Sequence, residues 1–340
     1  MNRSHPQAAL SVILPTADDY STIRLTVRAL RAQTARHRLE LVMVVPNDHP
    51  HLVESELTGF ASVRIVNAGP MQTSNRSRAA GIRAATAPIV VLAEDHSFPD
   101  PDWADALITA HQARFAVVGP VLRNANPRSM LSWANLLLEY APWLEGTPGQ
   151  EMKDLPGHNS AYRRDLLLEF GEDLDELFEV EAVIQREIVA RGHRMLLEPR
   201  AVTNHLNFSR FKPSIMLRFN AGRAFAAYRT TGWPMAKRAL YALASPLIPM
   251  VRFVRIARFV LQSNTYRFLM PAVLPPLAAA LIFDGLGELT GYIIGPGDSP
   301  KTLGSIEFNR MRFLDAGDRR DLQSRLDELD PDTTATALAG

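Results

Sequence analysis

The stretch Pro88–Trp103, PIVVLAEDHSFPDPDW, joins a continuous apolar run to two acidic residues and a histidine. The run is short and rich in β-branched residues, which predicts a buried strand. Glu94, Asp95 and His96 at its end could form a turn and a helix cap before the segment DPDWADAL. Carboxylates at the carboxyl end of a parallel strand can also hold a divalent cation against a diphosphate. The stretch on its own leaves both interpretations open.

Three other apolar runs share this character: LSVILP (10–15), LELVMVVP (39–46) and VRIVNA (63–68). A helix candidate, SNRSRAAGIRAAT (74–86), separates the last of them from the run that begins at Pro88. Continuous apolar strands that alternate with helices are typical of a parallel sheet buried on both faces. The sequence therefore predicts an α/β fold.

The polar residues after three of these strands are expected to lie together. They form the clusters 16–19, 46–49 and 94–96. Ligands of open α/β sheets bind beyond the carboxyl ends of the strands. We therefore expect the three clusters to surround one crevice.

Bulk composition narrows the class of protein. The chain has 340 residues, 46% of them apolar, which suffices for one large domain or for a domain with an appendage. It contains no cysteine, which excludes a disulfide framework, a zinc–thiolate site and a cysteine nucleophile. Residues 1–16 include no apolar segment of secretory length, so we expect no cleaved signal and a location on the cytoplasmic side.

The net charge of +1 conceals a sorting of charge along the chain. Between Pro199 and Phe283 there is no acidic residue, whereas basic residues are frequent. Such a block could face nucleic acid or a membrane. Arg252, Arg255 and Arg258 recur among apolar residues as in a helix that lies in the interface of an anionic bilayer, although a helix packed on the domain with a solvated basic face has the same pattern.

The apolar run Phe268–Phe283 ends this acid-free segment and favours a membrane over nucleic acid as its partner. It carries no charge and three prolines, and extending it to Ile294 would enclose Asp284 and Glu288. The run is short for a span of about 20 residues. We therefore expect a re-entrant or interfacial helical hairpin, a membrane surface as partner and no nucleic acid. The tail from Pro300 is polar, and its last ten residues are expected to be disordered.

The order of the motifs resembles the nucleotide-binding half of the family 2 glycosyltransferases of the GT-A fold. The motifs are Pro-Thr (15–16), VVPND (44–48), SNRSR (74–78) and the acidic triplet followed by PDPDW (99–103). LPGHNSAYRRDLLLEFG (155–171) and LFEVEAVIQREIVARGHRMLLEPRAVTNH (177–205) are similar to the acceptor half. The resemblance covers roughly residues 10–210 and implies a Rossmann-like mixed sheet flanked by helices.

The resemblance also implies roles for individual residues. The implied donor-binding residues are Pro15, Thr16, Asp18, Asp19, Asn47, Asp48, Asn75, Arg78, Glu94 and Asp95. The implied metal ligands are Asp95, His96 and His205, the implied acceptor-binding residues are His158 and Asn159, and the implied general base is Glu181 with Glu179 as the fallback. Without the resemblance, His205 is typical of a structural histidine and Glu181 of an acid in the first turn of a helix.

Three departures from the family pattern concern the metal. The triplet ends in His96 instead of an aspartate, the second strand ends in PND, and the usual Glu-Asp pair reads VE at 180–181. We expect a divalent metal, either Mn²⁺ or Mg²⁺. Imidazole is a softer ligand than carboxylate and suits Mn²⁺ better than Mg²⁺. The Gln-x-x-Arg-Trp signature of processive synthases does not follow the catalytic helix. We therefore expect a single transfer.

These observations together predict an inverting glycosyltransferase that moves one sugar from a nucleotide-diphosphate sugar to a lipid-linked or membrane-presented acceptor at the cytoplasmic face of the cell membrane. We expect a catalytic domain at 1–208 (donor half about 10–120, acceptor half 121–208), a membrane-associated helical region at 209–298 and a polar tail at 299–340. A nucleotidyltransferase that makes nucleotide sugars is one alternative, but PTADDYST (15–22) lacks the glycine-rich loop that holds a triphosphate. A non-catalytic nucleotide-sugar-binding membrane protein is the other.

Overall fold

The computed structural model describes residues 7–16, 20–46, 52–69, 74–177, 181–307 and 309–330, without the side chains of 74–76, 176–177 and 181–182. The strands are β1 (Leu10–Pro15), β2 (Leu39–Val45), β3 (Ser62–Asn67), β4 (Ile89–Leu92), β5 (Ser97–Pro99), β6 (Val117–Asn124), β7 (Gln150–Glu151), β8 (Ala161–Arg163) and β9 (Met195–His205). The helices are α1 (Tyr20–Arg31), α2 (Ser74–Ala84), α3 (Trp103–His111), α4 (Met130–Tyr140), α5 (Arg164–Leu168), α6 (Leu174–Leu177), α7 (Glu181–Ala190), α8 (Phe211–Arg229), α9 (Met235–Ala244), α10 (Ile248–Gln262), α11 (Met270–Ile294), α12 (Ser299–Glu307) and α13 (Ala316–Glu328).

The chain folds into two compact units, each of which is discontinuous in sequence. Unit 1 comprises 1–123, 143–205 and 321–340, and unit 2 comprises 124–142 and 206–320. The domain boundaries at 208 and 298 stay predictions. The last ten residues lie outside the described part of the chain.

Unit 1 contains a mixed sheet with the strand order β3-β2-β1-β4-β8-β6-β9-β5, and β7 pairs with β9. The first four strands in this order are parallel, and β8 runs antiparallel to β4 and β6. Each of the four predicted apolar runs forms one of these parallel strands. The helix predicted at 74–86 is α2. The predicted α/β fold, a mixed sheet with flanking helices, is confirmed.

The parallel strands are buried on both faces at the centre of the sheet but not at its edge. Leu10, Val12 and Leu14 of β1 belong to one core cluster and Ile13 to the other, because successive side chains of a strand point to opposite faces. β3 departs from the expected burial, since Ile65 is 45% exposed and most of its neighbours on the strand are exposed. It is the edge strand of the sheet, so its far side has no strand partner.

Unit 2 is built around α11, which packs on α8 along a face of glycines. A Cβ atom at Gly287 would overlap the carbonyl group of Phe219, and one at Gly291 would overlap the carbonyl of Arg223. At Gly222 of α8 a Cβ would overlap the carbonyl of Asp284. Small residues let two helix backbones approach this closely.

The expected hairpin within 268–294 is wrong, because α11 is one continuous helix of 25 residues. Pro275 and Pro276 lie in its second turn, where they remove only the bonds to the carbonyls of Pro271 and Ala272. Burial of Val273, Leu277, Ala280 and Leu281 on one side offsets that loss. Two described segments, Met235–Gln262 and Arg267–Ile294, are long and apolar enough to cross a membrane.

We expect Gly287→Val to destabilise unit 2 by about 3 kcal/mol or more, because the new methyl groups would overlap the backbone of α8. Thermal unfolding of the full chain followed by circular dichroism measures the effect. Leu286→Val is the matched control: it places the same β-branched residue at the adjacent position, where the side chain is exposed. Equal unfolding temperatures for the two variants would contradict the close helix contact.

Candidate active site

Glu94 is the centre of a polar cluster at the carboxyl end of β4. Its side chain is buried, although the residue lies two positions after the end of the strand. Oε2 of Glu94 accepts hydrogen bonds from Ser97 Oγ at 2.8 Å and from Asn159 Nδ2 at 3.2 Å. These two donors fix the plane of the carboxylate.

Three imidazoles surround the same carboxylate. His96 Nε2 and His158 Nδ1 each lie 3.4 Å from Glu94 Oε1, and His205 Nε2 lies 3.8 Å from Oε2. The rings of His96 and His205 meet edge to face, with their centroids 5.0 Å apart. His96 and His205 are buried, whereas His158 is partly exposed.

Strand pairing brings His205 to this cluster from a distant part of the sequence. β5 pairs antiparallel with the end of β9, and its register places Ser97 opposite His205 and Phe98 opposite Asn204. Because the triplet immediately precedes β5, this register puts the last residue of β9 beside Glu94 and His96. The expected proximity of His205 to the triplet is therefore observed, while its role as a metal ligand is not tested by proximity alone.

The environment favours the ionised form of Glu94. Burial by itself raises the pKa of a carboxyl, but the charges of His158 and His96, with a smaller contribution from His205, outweigh burial and hold the pKa of Glu94 well below its usual range. The site therefore presents a buried negative charge within a ring of imidazoles.

Asn159 reaches Glu94 because its backbone adopts a left-handed conformation, with φ of 62°. Asparagine tolerates this region better than most residues. The backbone N–H of Asn159 donates to the carbonyl of Leu92 at 2.7 Å, which ties the loop before β8 to the end of β4. The side-chain amide of Asn159 is thereby directed to the Glu94 carboxylate.

Arg78 of α2 reaches the cluster through His158. Arg78 Nη2 lies 2.6 Å from His158 Nδ1. The side chain of Arg78 is buried. Its guanidinium is always charged, so it places a positive charge beside His158, at the edge where a diphosphate is expected.

Asp95 and Thr26 hold the triplet in position. Asp95 Oδ1 lies 2.6 Å from His96 Nδ1, so the opposite ring nitrogen, Nε2, faces Glu94. Thr26 of α1 donates from Oγ1 to the carbonyl oxygens of Glu94 and Asp95, at 3.2 and 3.1 Å. Thr26 and Ser97 were not predicted from the sequence. A threonine in an amphipathic helix has no pattern that indicates a functional role, and the only indication for Ser97 is its position directly after the triplet.

Glu94, His96 and His205 could hold one metal ion. One donor atom from each lies within 4.8 Å of the others. His96 Nε2 lies 3.4 Å from Glu94 Oε1, and His205 Nε2 lies 3.8 Å from the other carboxylate oxygen, Oε2. Ligands about 2.1 Å from a common ion are separated by roughly 3 to 4 Å. A carboxylate with two imidazoles suits Mn²⁺ and other transition ions better than Mg²⁺. Glu94 occupies the place in this trio that the sequence analysis gave to Asp95.

The structure describes some of the remaining predicted site residues and leaves the others outside its described ranges. Pro15 ends β1 opposite Val44 of β2, and Thr16 follows it with Oγ1 2.7 Å from Oγ1 of Thr22. Asn75 and Glu181 lie in the first turns of α2 and α7, where their backbones alone are described. The predictions for Asp18, Asp19, Asn47, Asp48 and Glu179 fall outside the described residues.

Comparison with known proteins identifies the part of the chain that contains Glu94, His96 and His158. Residues 11–171 match the family model for glycosyl transferase family 2. The chain carries a family 2 glycosyltransferase domain. This match includes Glu94, the loop of Asn159 and the strands of the parallel sheet. The mixed sheet with flanking helices agrees with the GT-A fold that the motif order implied.

Solved structures and curated sequences add the following. The glycosyltransferase is similar to the crystal structure of GalNAc-T7 with UDP, GalNAc and Mn²⁺, with 16% identity, coverage of 59% of this chain and 44% of that chain, and a TM-score of 0.45. It is also similar to S. aureus TarS 1–349 in complex with UDP, with 16% identity, coverage of 82% and 90%, and a TM-score of 0.43. The chain thus spans less than half the length of the GalNAc-T7 structure. No curated protein sequence matches it.

Proposed function

We propose that this glycosyltransferase moves a single sugar, with inversion, from a nucleotide-diphosphate sugar to a lipid-linked or membrane-presented acceptor. The observation that carries the proposal is the buried, ionised Glu94 at the carboxyl end of β4, surrounded by His96, His158 and His205. Ligands of α/β sheets bind at this edge. A buried carboxylate with imidazoles around it is well suited to bind a cation there.

The donor is proposed to lie across the carboxyl ends of β1, β2 and β4. Pro15 and Thr16, with Asp18, Asp19, Asn47 and Asp48, would surround the base and the ribose, and Asn75 and Arg78 would face the phosphates. The position of Arg78 supports this assignment, because its buried guanidinium is already held against His158 beside Glu94. Glu94 and Asp95 complete the donor side.

A divalent metal, Mn²⁺ or Mg²⁺, fits the residues at the end of β4. We propose Glu94, His96 and His205 as its ligands, with Asp95 orienting the His96 ring through Nδ1. When bound, the ion would neutralise charge on the diphosphate leaving group. The protein itself supplies the fixed ligand geometry and the positive charge of Arg78.

The acceptor is proposed to lie on the side of His158 and Asn159, with Glu181 as the general base. An inverting transfer needs a base because the acceptor hydroxyl must lose its proton as it attacks the anomeric carbon from the face opposite the nucleotide. Glu181 begins α7, and helix N-termini favour a carboxylate in its charged form. Glu179 is the alternative base. The hydrogen bond from Asn159 to Glu94 joins the acceptor side to the donor side.

Membrane association at the cytoplasmic face is proposed from unit 2. It contains the two described segments that are apolar enough to enter a bilayer, and no acidic residue occurs between Pro199 and Phe283. Cationic, apolar helices favour an anionic membrane surface. An acceptor presented at that surface would reach the enzyme without leaving the bilayer.

We expect a screen of nucleotide sugars, followed by release of the nucleotide product, to find a donor that is turned over with Mn²⁺ and more slowly with Mg²⁺. Addition of a chelator should abolish the reaction, since the diphosphate would lose its counter-charge. The same assay without protein measures spontaneous hydrolysis. Full activity in chelator would contradict the proposed metal, and absence of turnover with every donor would contradict the proposed transfer.

A further inference from the structure

Unit 2 carries a row of exposed apolar side chains along α9, α10 and the turn between them. The members of this apolar row are Leu240, Leu243, Leu247, Met250, Val251, Val254 and Leu261. These residues are 57% to 81% exposed. Their spacing of three, four or seven residues, apart from the adjacent pair Met250 and Val251, places them on one side of each helix. Soluble monomers rarely expose a contiguous apolar surface of this length.

Cations accompany the apolar row, and acids do not. Lys237, Arg255 and Arg258 are exposed on the same two helices, and no acidic residue occurs between Pro199 and Phe283. Exposed leucines between cations fit the boundary between acyl chains and anionic headgroups. A protein partner would also accept apolar contacts, but a surface of one charge sign along two whole helices favours the bilayer.

The opposite side of α10 faces the interior of unit 2. Arg252 contacts Asp284 and lies 3.0 Å from Glu288 Oε1, both on α11, while Ile256 and Val260 are buried. The three arginines that recur along this helix are therefore divided: Arg252 pairs inward, and Arg255 and Arg258 remain exposed. The sequence pattern had placed all three on one basic side.

The helix α11 is the internal support of unit 2. It contacts α4, α8, α9 and α10, and its glycines meet the backbone of α8. Asp284 and Glu288 are buried in this packing, where Arg252 and the hydroxyl of Tyr292 pair with them. The side of α11 that packs on its neighbours keeps these carboxylates paired, whereas a span would take them through hydrocarbon.

We infer that the glycosyltransferase binds the surface of an anionic bilayer through the apolar row, which lies in the plane of one leaflet, while α11 remains packed on the other helices of unit 2 and does not span. The inference rests on the proposed membrane association and names the surface responsible for it. Only 13 uncharged residues, about 20 Å of helix, lie between Arg238 and Arg252, so crossing about 30 Å of hydrocarbon would enclose cations of these helices, whereas Arg255 and Arg258 are exposed. Lying in the plane keeps both arginines at the headgroups.

The absence of cysteine from the chain allows this inference to be tested by single labelling sites. Leu243→Cys on the apolar row and Ile282→Cys on α11, both exposed, are each labelled with the fluorophore NBD in the full-length protein. Vesicles of phosphatidylcholine with about 30% phosphatidylglycerol, an anionic surface of the kind that attracts basic helices, should shift the emission of the label at 243 to the blue and leave the label at 282 unchanged. An equal shift at both positions, or a shift at 282 alone, would overturn the in-plane arrangement.

The charge contribution is tested by vesicle flotation. Arg255→Gln with Arg258→Gln should weaken binding to the anionic vesicles on the order of 30-fold, because each cation near the surface contributes about fivefold. Arg114→Gln with Arg163→Gln, two positions of unit 1, is the matched control for loss of two positive charges. If both double variants bound equally, the assignment of the surface would be wrong.

Turnover of the nucleotide sugar by the unlabelled protein in the absence of vesicles separates this inference from the proposed function. Turnover without vesicle binding would contradict the inference and the membrane association on which it rests, and would leave the proposed sugar transfer standing. Vesicle binding through the apolar row without turnover of any donor would support the inference and contradict the proposed transfer.

Discussion

Replacement of Glu94 by glutamine is expected to lower the rate of sugar transfer by roughly 10³-fold, which corresponds to about 4 kcal/mol of lost transition-state stabilisation. Glutamine has nearly the same shape but no charge. With its carbonyl oxygen accepting from Ser97 Oγ and Asn159 Nδ2 as Oε2 does, its NH₂ group would face His96 and His158. The proposed metal would lose its only carboxylate ligand among Glu94, His96 and His205. The variant should therefore bind Mn²⁺ weakly and turn over slowly.

Initial rates at saturating donor, together with Mn²⁺ binding followed by electron paramagnetic resonance, measure both consequences. Glu151→Gln is the matched control, since Glu151 is an exposed carboxylate of β7 that pairs with Arg194. Thermal unfolding of both variants shows whether loss of a buried charge has altered the fold. A Glu94→Gln protein that folds normally and transfers sugar at the wild-type rate would refute the proposed site.

Replacement of Glu181 by glutamine should lower kcat by roughly 10² to 10⁴-fold, the usual contribution of a general base, while KM for the donor stays the same. The carboxylate is proposed to accept the proton of the attacking hydroxyl and to have no contact with the nucleotide. Raising the pH should not rescue the variant, because the acceptor hydroxyl ionises far above the working range. Single-turnover measurements separate this loss from slow product release.

Glu179→Gln is the paired variant, because Glu179 lies two residues before Glu181 and carries the same side chain. We expect it to retain activity within a few-fold of wild type. The opposite result, with a large loss in Glu179→Gln and little in Glu181→Gln, would transfer the role of the base to Glu179. Similar small losses in both would contradict a carboxylate base in this segment.

Local patterns were sufficient to predict the parallel part of the sheet. The apolar runs at 10–15, 39–46, 63–68 and 88–93 each form a strand. A short run of apolar side chains is buried most simply as a strand of a parallel sheet, which needs no specific polar partner. The same reasoning failed at two places. Ile65 is exposed because β3 is an edge strand, and α11 continues through Pro275 because packing on neighbouring helices outweighs two missing hydrogen bonds.

The candidate site was predicted only in outline. The end of β4 identified Glu94, Asp95 and His96, and the family resemblance supplied His158, Asn159 and His205. No pattern indicated which carboxylate would face the imidazoles. That choice depends on the direction of the chain after Ala93. There Thr26 Oγ1 donates to the carbonyl oxygens of Glu94 and Asp95, and Asn159, in the loop before β8, donates to the Glu94 carboxylate.

The sequence by itself determined the order of strands and helices, the acidic end of β4 and the acid-free basic segment, because these depend on residues near one another in the chain. Only the tertiary structure decided that Glu94 meets His205, 111 positions later in the sequence, and that Arg252 turns inward to Asp284 and Glu288. Both are long-range contacts, fixed by strand register in one unit and by helix packing in the other. A charged side chain near a strand end or on a helix has several possible partners, and the fold selects the one that neutralises it where water is excluded.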